Sequence, residues 1–485
     1  MSNTLVDYLT ASCAGTGQST FYNTRGQQLQ QLEALHLRMA EDNRRIYALS
    51  AALPINDKSK QLILGTLLST GKNCQDGQLE TQVMQMVVED MQFNRVLNLL
   101  VELREKKVNN SRTRRLGRIV WEMTDEFRAI KYANKLRTIL RHCHIGESRS
   151  RPARTEMHQF IYGENGKRGR AALTADDIQH CPKIKARLLA PTHYESCFEL
   201  PYDIAVAIAV AHHGKTAEEF KKEFAGTETK KAKGQVTRKE QLRARQTTGA
   251  TTVDFNRFSI FELFMHAYRN DKDKADVFEV IDRKARRVAE GLGLPDKVAL
   301  VVDNSVSTLG SAERQFQPIS MIASVAAIIE RANAEVQVFY VGPKPTNGYV
   351  MPEGATSLRR PVVEALLSRP DIVFILSDGY ENVRAGSVAQ VLATKAYKDS
   401  GIPVMHLNPV AATESGEGTR SLAENVLTFG LSQPEQLPMV TLLGLAAQEP
   451  KLLEPMFSEV ERCIRSGDFK SARLATRVAG LPALV

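Results

Sequence analysis

Two apolar runs that end on aspartate constrain the fold of this chain most. Residues 297–303 read KVALVVD and residues 371–378 read DIVFILSD. Unbroken aliphatic runs of this length, without alternation, are strands buried on both faces, and such strands belong to parallel sheets covered by helices. The sequence between and after them keeps the same rhythm. Residues 319–333 carry a helix pattern, 336–342 (VQVFYVG) a strand, 360–367 a helix, 387–400 a helix, 403–408 (PVMHLN) a strand and 426–430 (VLTFG) a last short strand. Strands alternating with helices predict a mainly parallel α/β domain over residues 296–432. Ligands of such sheets bind beyond the carboxyl ends of the strands, where both aspartates fall.

The residues at those strand ends are hard oxygen donors. Asp303-Asn304-Ser305-Val306-Ser307 follows the first run and fits D-x-S-x-S. Thr356 lies in Gly354-Ala355-Thr356-Ser357, just ahead of a helix, and Asp378 closes the second run as Ser377-Asp378-Gly379. Donors at alternate positions 303, 305 and 307 can face one point from a single extended turn. Carboxylates with hydroxyls and water suit Mg²⁺ or another small divalent cation, which demands oxygen ligands in near-octahedral array. Asp303, Ser305, Ser307, Thr356 and Asp378 are therefore the candidate metal ligands. Each piece alone is also what a helix cap or a turn uses. Their joint placement at strand ends points to a cation.

Upstream the periodicity changes to three and four. Residues 27–50 carry Leu29, Leu32, Leu35 and Met39 on one face, and helix patterns follow at 62–69, 79–90, 93–105, 112–122, 126–142, 175–189, 202–212, 217–224, 258–269 and 274–290. Short helices joined by short loops at even spacing predict a helical-repeat, HEAT-like array over residues 1–292. At 485 residues the chain exceeds one core. Residues 433–485 form a third segment, a C-terminal helical extension with helix patterns at 452–465 and 471–479.

Charge divides the chain in the same way. The formal +9 splits into +12 over residues 1–295 and −3 over 296–485. A basic region beside a mildly acidic one implies a polyanion partner for the first alone. Arg112, Arg114, Arg115 and Arg118 crowd one segment, Lys131 and Lys135 lie on the next helix, Arg149, Arg151 and Arg154 follow in a loop, and Lys167, Arg168 and Arg170 sit in the Gly-rich GENGKRGR. Arginine's planar fork binds phosphate bidentately, and the interleaved Tyr132, His158, Phe160 and Tyr162 offer faces for unpaired bases. Any one such cluster also serves as a solvated helix face. Residues 226–249 add seven Lys/Arg against two Glu and few apolar side chains, the composition of a flexible loop.

The three motif pieces on their βα pattern resemble the metal-ion-dependent adhesion site of von Willebrand A domains over residues 297–430. A basic helical array followed by such a domain, with residues 370–382 (PDIVFILSDGYEN), resembles the Ro autoantigen family of RNA-binding proteins with a TROVE module. Gly354-Ala355-Thr356 stands where that family has Gly-Gly-Thr, and Asn304 and Val306 fill the variable motif positions unusually. The resemblance implies an α+α/β protein, a helical-repeat array followed by a von Willebrand A-type doubly wound parallel sheet. It implies a scaffold that binds small structured noncoding RNA and single-stranded RNA ends, with an exonuclease as a further partner. It leaves open whether the array is a closed ring or an open arc. The alternative is a protein-interaction module whose cation takes an acidic side chain of an AAA+ ATPase or an assembly subunit.

No P-loop, GxSxG or HExxH motif is present, and no paired carboxylates stand out for phosphodiester hydrolysis, so no enzymatic activity is expected. His142-Cys143-His144 lacks a second ligand pair at zinc spacing, and His212-His213 sits where imidazoles meet helix C-terminal carbonyls. Six scattered cysteines without CxxC suit reduced thiols. No apolar run is long enough to span a bilayer and no secretory signal is evident, so a cytoplasmic protein without membrane partners is expected.

Overall fold

The computed structural model describes residues 3–14, 25–147, 150–163, 173–226, 254–269, 274–290, 292–310, 315–332, 334–345, 350–409, 422–423, 426–431, 433–446, 451 and 453–471. Arg149, Lys167, Arg168, Arg170, the basic stretch after Gly226 and the helix pattern after Ser471 lie outside them. Among the described residues helices dominate, and one five-stranded parallel sheet lies in the C-terminal part. Two compact units form: residues 1–87 with 254–485, and residues 88–253. The change from helix to sheet falls at Lys297, whereas packing groups the first helices with the sheet.

The first unit opens with α1 (Asn3–Ala14), α2 (Arg25–Asp42), α3 (Arg44–Leu49), α4 (Asp57–Ser69) and, up to Val87, most of α5 (Gly77–Asp90). The single helix expected over 27–50 is broken at Asn43. That residue leaves helical geometry (φ −152°, ψ 83°) and its side chain accepts the Ile46 N–H, capping α3. The break lets Arg44 turn inward. Its Nε donates to Glu80 Oε1 at 2.7 Å, and its two terminal nitrogens donate to Thr70 Oγ1 at 2.6 Å and to the Leu67 carbonyl at 3.1 Å.

The second unit is helical: α6 (Phe93–Glu105), α7 (Ser111–Glu122), α8 (Glu126–Lys131), α9 (Ala133–His142), α10 (Pro152–Gly163), α11 (Pro182–Leu189), α12 (Tyr202–His212) and α13 (Ala217–Gly226). Asn110 and Asp125 cap α7 and α8 by accepting backbone N–H groups. Two expected helices are divided. The 126–142 pattern breaks at Tyr132, and in the 175–189 pattern Pro182 starts a new helix at its first position. Gly117 lets α7 and α9 approach: a Cβ there would lie 2.4 Å from Cys143 Sγ.

The rest of the first unit holds α14 (Ile260–Arg269), α15 (Lys274–Ala289), β1 (Lys297–Val302), α16 (Gln317–Ile329), β2 (Glu335–Tyr340), α17 (Arg359–Leu367), β3 (Ile372–Leu376), α18 (Ser387–Ala393), α19 (Lys395–Ser400), β4 (Val404–Asn408), β5 (Leu427–Gly430), α20 (Leu437–Ala446) and α21 (Leu453–Arg465). The helix expected over 387–400 breaks at Thr394, which is extended (φ −64°, ψ 148°) and caps α19. The strand order is β2-β1-β3-β4-β5, all parallel. The order of strand addition reverses between β1 and β3, so the crevice beyond their carboxyl ends is the expected ligand position.

Both faces of the sheet are covered. Ala299, Val301, Val373 and Ile375 pack with Leu358, Val362 and Ala365 near and on α17 and with Val388 and Leu392 on α18. On α16 every residue from Ile319 to Ile329 is buried, and the helix packs against α14, α15 and β1. A helix apolar on all sides needs such enclosure.

The expected C-terminal extension belongs to the same unit. Helix α1, which the sequence pattern did not announce, packs on β5 and α20. Gln436 donates to the Cys13 carbonyl at 3.4 Å. Arg45 pairs with Glu461, and Arg465 bridges Glu461 and Asp76, the latter at 2.7 Å.

Candidate cation site and basic surface

The end of β1 and the end of β3 meet in register. Val302 pairs with Leu376, and the Asp303 N–H continues the ladder to the Leu376 carbonyl at 2.9 Å. This brings Asp303 and Ser377 together although 74 residues separate them. Asp303 Oδ2 accepts the Ser377 hydroxyl at 2.7 Å, and Oδ1 accepts the Ser305 hydroxyl at 2.6 Å and the Ser305 N–H at 3.0 Å. Asp303 is wholly buried. Burial pushes its pKa up, and the hydrogen bonds from Ser305 and Ser377 oppose that shift.

Thr356 arrives from the loop before α17. Its hydroxyl lies 2.7 Å from Ser305 Oγ and 3.3 Å from Ser307 Oγ, while the two serine hydroxyls are 2.9 Å apart. Ser305 and Thr356 are buried and Ser307 is half-buried. Asn382 adds its side-chain amide at 3.3 Å from Thr356 Oγ1. Four of the five proposed ligands thus form one connected cluster. Asp378, 5% exposed, stands beside it, next to Ser377. Its Oδ1 accepts the Tyr380 N–H at 3.0 Å, and its carbonyl accepts from Asn408 at 3.1 Å.

The donor set contains only oxygen: two carboxylates and three hydroxyls. Among the described residues no group of three or more His, Cys, Asp and Glu gathers in a metal-binding arrangement. A thiolate or imidazole site for a softer metal is therefore not what these residues build. The cluster fits a hard divalent cation, which its hydroxyls would ligate without neutralising.

Two supporting residues carry no motif in the sequence. Ser377 orients Asp303 and accepts the Gly379 N–H at 3.1 Å. His406 on β4, fully buried, has Nε2 2.9 Å from the Ser377 carbonyl, and burial pushes its pKa down to about 4. An imidazole in a strand gives no local sign of that partner, because the hydrogen bond crosses from β4 to the end of β3.

In the second unit the candidate phosphate-binding residues separate into two groups. Arg115 and Arg118 are exposed on α7, with Arg112 and Arg114 half-buried beside them. Others are engaged within the fold. Arg154 donates to the carbonyls of Trp121 (2.6 Å), Glu122 (2.6 Å) and Thr124 (2.7 Å), closing the C-terminus of α7. Lys135 sits between the side-chain oxygens of Asn94 and Asn98, both at 2.7 Å. Lys131 pairs with Asp203 and Arg151 with Glu122. Phe160 and His158 are buried, and Tyr162 has its ring stacked on His158 at 4.5 Å and beneath Arg141. Among the described aromatics proposed for base stacking, Tyr162 and Tyr132, the latter against Phe93, are half-buried.

The histidines near cysteines serve local hydrogen bonds. His142 Nε2 is 2.9 Å from the Val108 carbonyl, His213 Nε2 is 2.6 Å from the Ala190 carbonyl, and His180 pairs with Glu156 at 2.7 Å. All six cysteines are free. Among the described residues no helix is long and apolar enough to cross a membrane. No protein-family model matches this chain, and no curated protein matches it.

Proposed function

We propose that this chain is a Ro-like scaffold: a helical-repeat region that holds small noncoding RNA, joined to a von Willebrand A-type domain that docks a partner through a divalent cation. The observation that carries the reading is the hydroxyl cluster of Ser305, Ser307 and Thr356 closed upon Asp303 beyond the ends of β1 and β3. Few structural needs draw three hydroxyls and a buried carboxylate to one point at the switch position of a parallel sheet. Mg²⁺ would be held by Asp303, Ser305, Ser307 and Thr356, with Asp378 acting directly or through water. Bound there it would supply a Lewis-acidic docking point for an anionic group. The reading assigns no catalysis.

The RNA part rests on exposed Arg115 and Arg118 and on the excess positive charge of the first 295 residues. It is tested on purified full-length chain, by measuring binding to structured RNA and to 3′-tailed single strands at several salt concentrations. Affinity that falls steeply with salt supports it. No binding at low salt would overturn it.

A second reading has its own support. Val306, Met351 and Val383 are three of the exposed large hydrophobics, and all three are tied by backbone to the site. Val306 N–H donates to the Gly354 carbonyl, Val383 N–H to the Thr356 carbonyl, and the Met351 carbonyl accepts from Asn304. Apolar side chains around a cation favour a protein carboxylate over a phosphate backbone. A Mg²⁺-dependent protein partner retained after RNase treatment would favour this reading.

A further inference from the structure

We propose that Asn304, at a variable position of the D-x-S-x-S segment, is the positioning residue that holds the Thr356 arm against the cation site. The inference rests on the cation reading above and adds a residue outside its ligand set.

Asn304 is 1% exposed, unusual for an amide that no motif requires. Its side chain accepts the Gly342 N–H at 2.7 Å and donates to the Pro343 carbonyl at 2.9 Å, with the Met351 carbonyl at 3.4 Å. Its own carbonyl accepts the Glu353 N–H at 2.7 Å. One residue therefore fastens both ends of the segment that leaves β2 at Gly342 and returns at Glu353. Three residues later that segment delivers Thr356. The neighbouring rung repeats the arrangement, with the Val306 N–H on the Gly354 carbonyl at 3.0 Å. The next hydrogen bond along is Ser305 to Thr356 itself.

The geometry is tight from the other side as well. A Cβ on Gly342 would lie 2.6 Å from the Glu353 carbonyl oxygen and 3.0 Å from Asn304 Oδ1. Glycine is thus required where the returning chain crosses the amide. Asn304 touches none of the hydroxyl oxygens in the bonds above, so its influence on the cation passes through the placement of Thr356. Aspartate lacks the donor for Pro343, leucine lacks both functions, and serine is too short to reach both.

Residues that orient metal ligands typically change metal affinity by about 10- to 100-fold when removed. The test is a double-mutant cycle read by Mn²⁺ titration of the full chain, using wild type, Asn304→Ala, Thr356→Ala and the double variant. Asn304→Ala is expected to weaken Mn²⁺ binding about ten-fold or more. In the Thr356→Ala background the same substitution is expected to add little, because the arm it positions no longer carries its ligand. An unchanged Mn²⁺ affinity in Asn304→Ala, or an equal reduction in both backgrounds, would overturn the proposal while leaving the cation site intact. If wild type and Asp303→Ala bind Mn²⁺ alike, the cation reading falls and this proposal with it. Should Asn304→Ala fail to fold, Gly342→Ala crowds the same clamp with the amide retained. Weakened Mn²⁺ affinity there supports the proposal and wild-type affinity refutes it.

Discussion

The hydroxyl of Ser305 lies 2.7 Å from the hydroxyl of Thr356, across 51 residues of chain. Two loops converge on that hydrogen bond, one after β1 and one before α17, and Asp303 closes it through its 2.6 Å bond to Ser305. The pairing joins the first and second motif pieces into a single polar cluster beyond the ends of β1 and β3.

Arg154 is expected to matter for stability. It satisfies three carbonyls at the end of α7 and lies over the Trp121 ring, 5.3 Å from its centroid. Hydrogen bonds from charged groups contribute about 1.5–3 kcal/mol. Arg154→Ala should destabilise the second unit by about that much. Trp121, the only tryptophan, reports it as an earlier red shift of fluorescence on urea titration. An unchanged midpoint would contradict this role for Arg154.

Arg115 and Arg118 are expected to behave oppositely. Replacing both with Gln should leave the urea midpoint near wild type and weaken RNA binding across sequences. The slope of log K against log salt should shrink by roughly 0.7–0.9 for each phosphate that is no longer neutralised. Unaltered affinity and slope would make this face a solvated helix surface only.

The buried Arg44–Glu80 pair gives a sharper stability test. Both side chains are almost fully buried. Glu80→Ala leaves a buried guanidinium without its carboxylate and should cost about 3–5 kcal/mol. The double variant Arg44→Met with Glu80→Leu should recover most of that stability in denaturant unfolding. A Glu80→Ala variant of wild-type stability would show that the pair is not sealed from water.

His36 sets an acid limit. It is buried beside Tyr47, 3.0 Å from its hydroxyl, and burial, with Lys58 nearby, pushes its pKa down to about 3. A depressed folded pKa means that the unfolded chain takes up the proton first. The stability from neutral His36 is therefore complete above about pH 6.5 and declines as pH falls toward about 3, at up to about 1.4 kcal/mol per unit. His36→Gln, which keeps a partner for Tyr47, should flatten the fall in unfolding free energy between about pH 7 and about pH 5. Equal slopes for the two chains would remove His36 from the acid response.

Much of the sheet was legible because parallel strands buried on both faces leave continuous apolar runs. β1, β3 and β4 fall within a residue or two of the expected spans, and the donor residues are named by motif order. The helix breaks were less visible. Asn43 and Thr394 interrupt patterns whose apolar spacing runs on regardless, since a cap needs only one local hydrogen bond, and Tyr132 interrupts another without a side-chain cap. The grouping of residues 1–87 with the sheet depends on pairings such as Gln436 to the Cys13 carbonyl and Arg45 to Glu461, which no local pattern encodes. Asn304 reads in the sequence as an unusual filler, and its role emerges only with Gly342 and Glu353 beside it. The basic clusters were visible as charge, but which arginines serve carbonyls and which face outward is a property of packing.

The cation site is tested most directly by thermal unfolding of wild type and Asp303→Ala in EDTA and in Mg²⁺. Mg²⁺ should raise the wild-type midpoint in a concentration-dependent way, as a ligand bound only by the folded chain must. No such rise is expected for Asp303→Ala, which should still show a cooperative unfolding transition in EDTA. A wild-type midpoint indifferent to Mg²⁺, or an equal rise in both chains, would contradict the assignment of these residues to a cation.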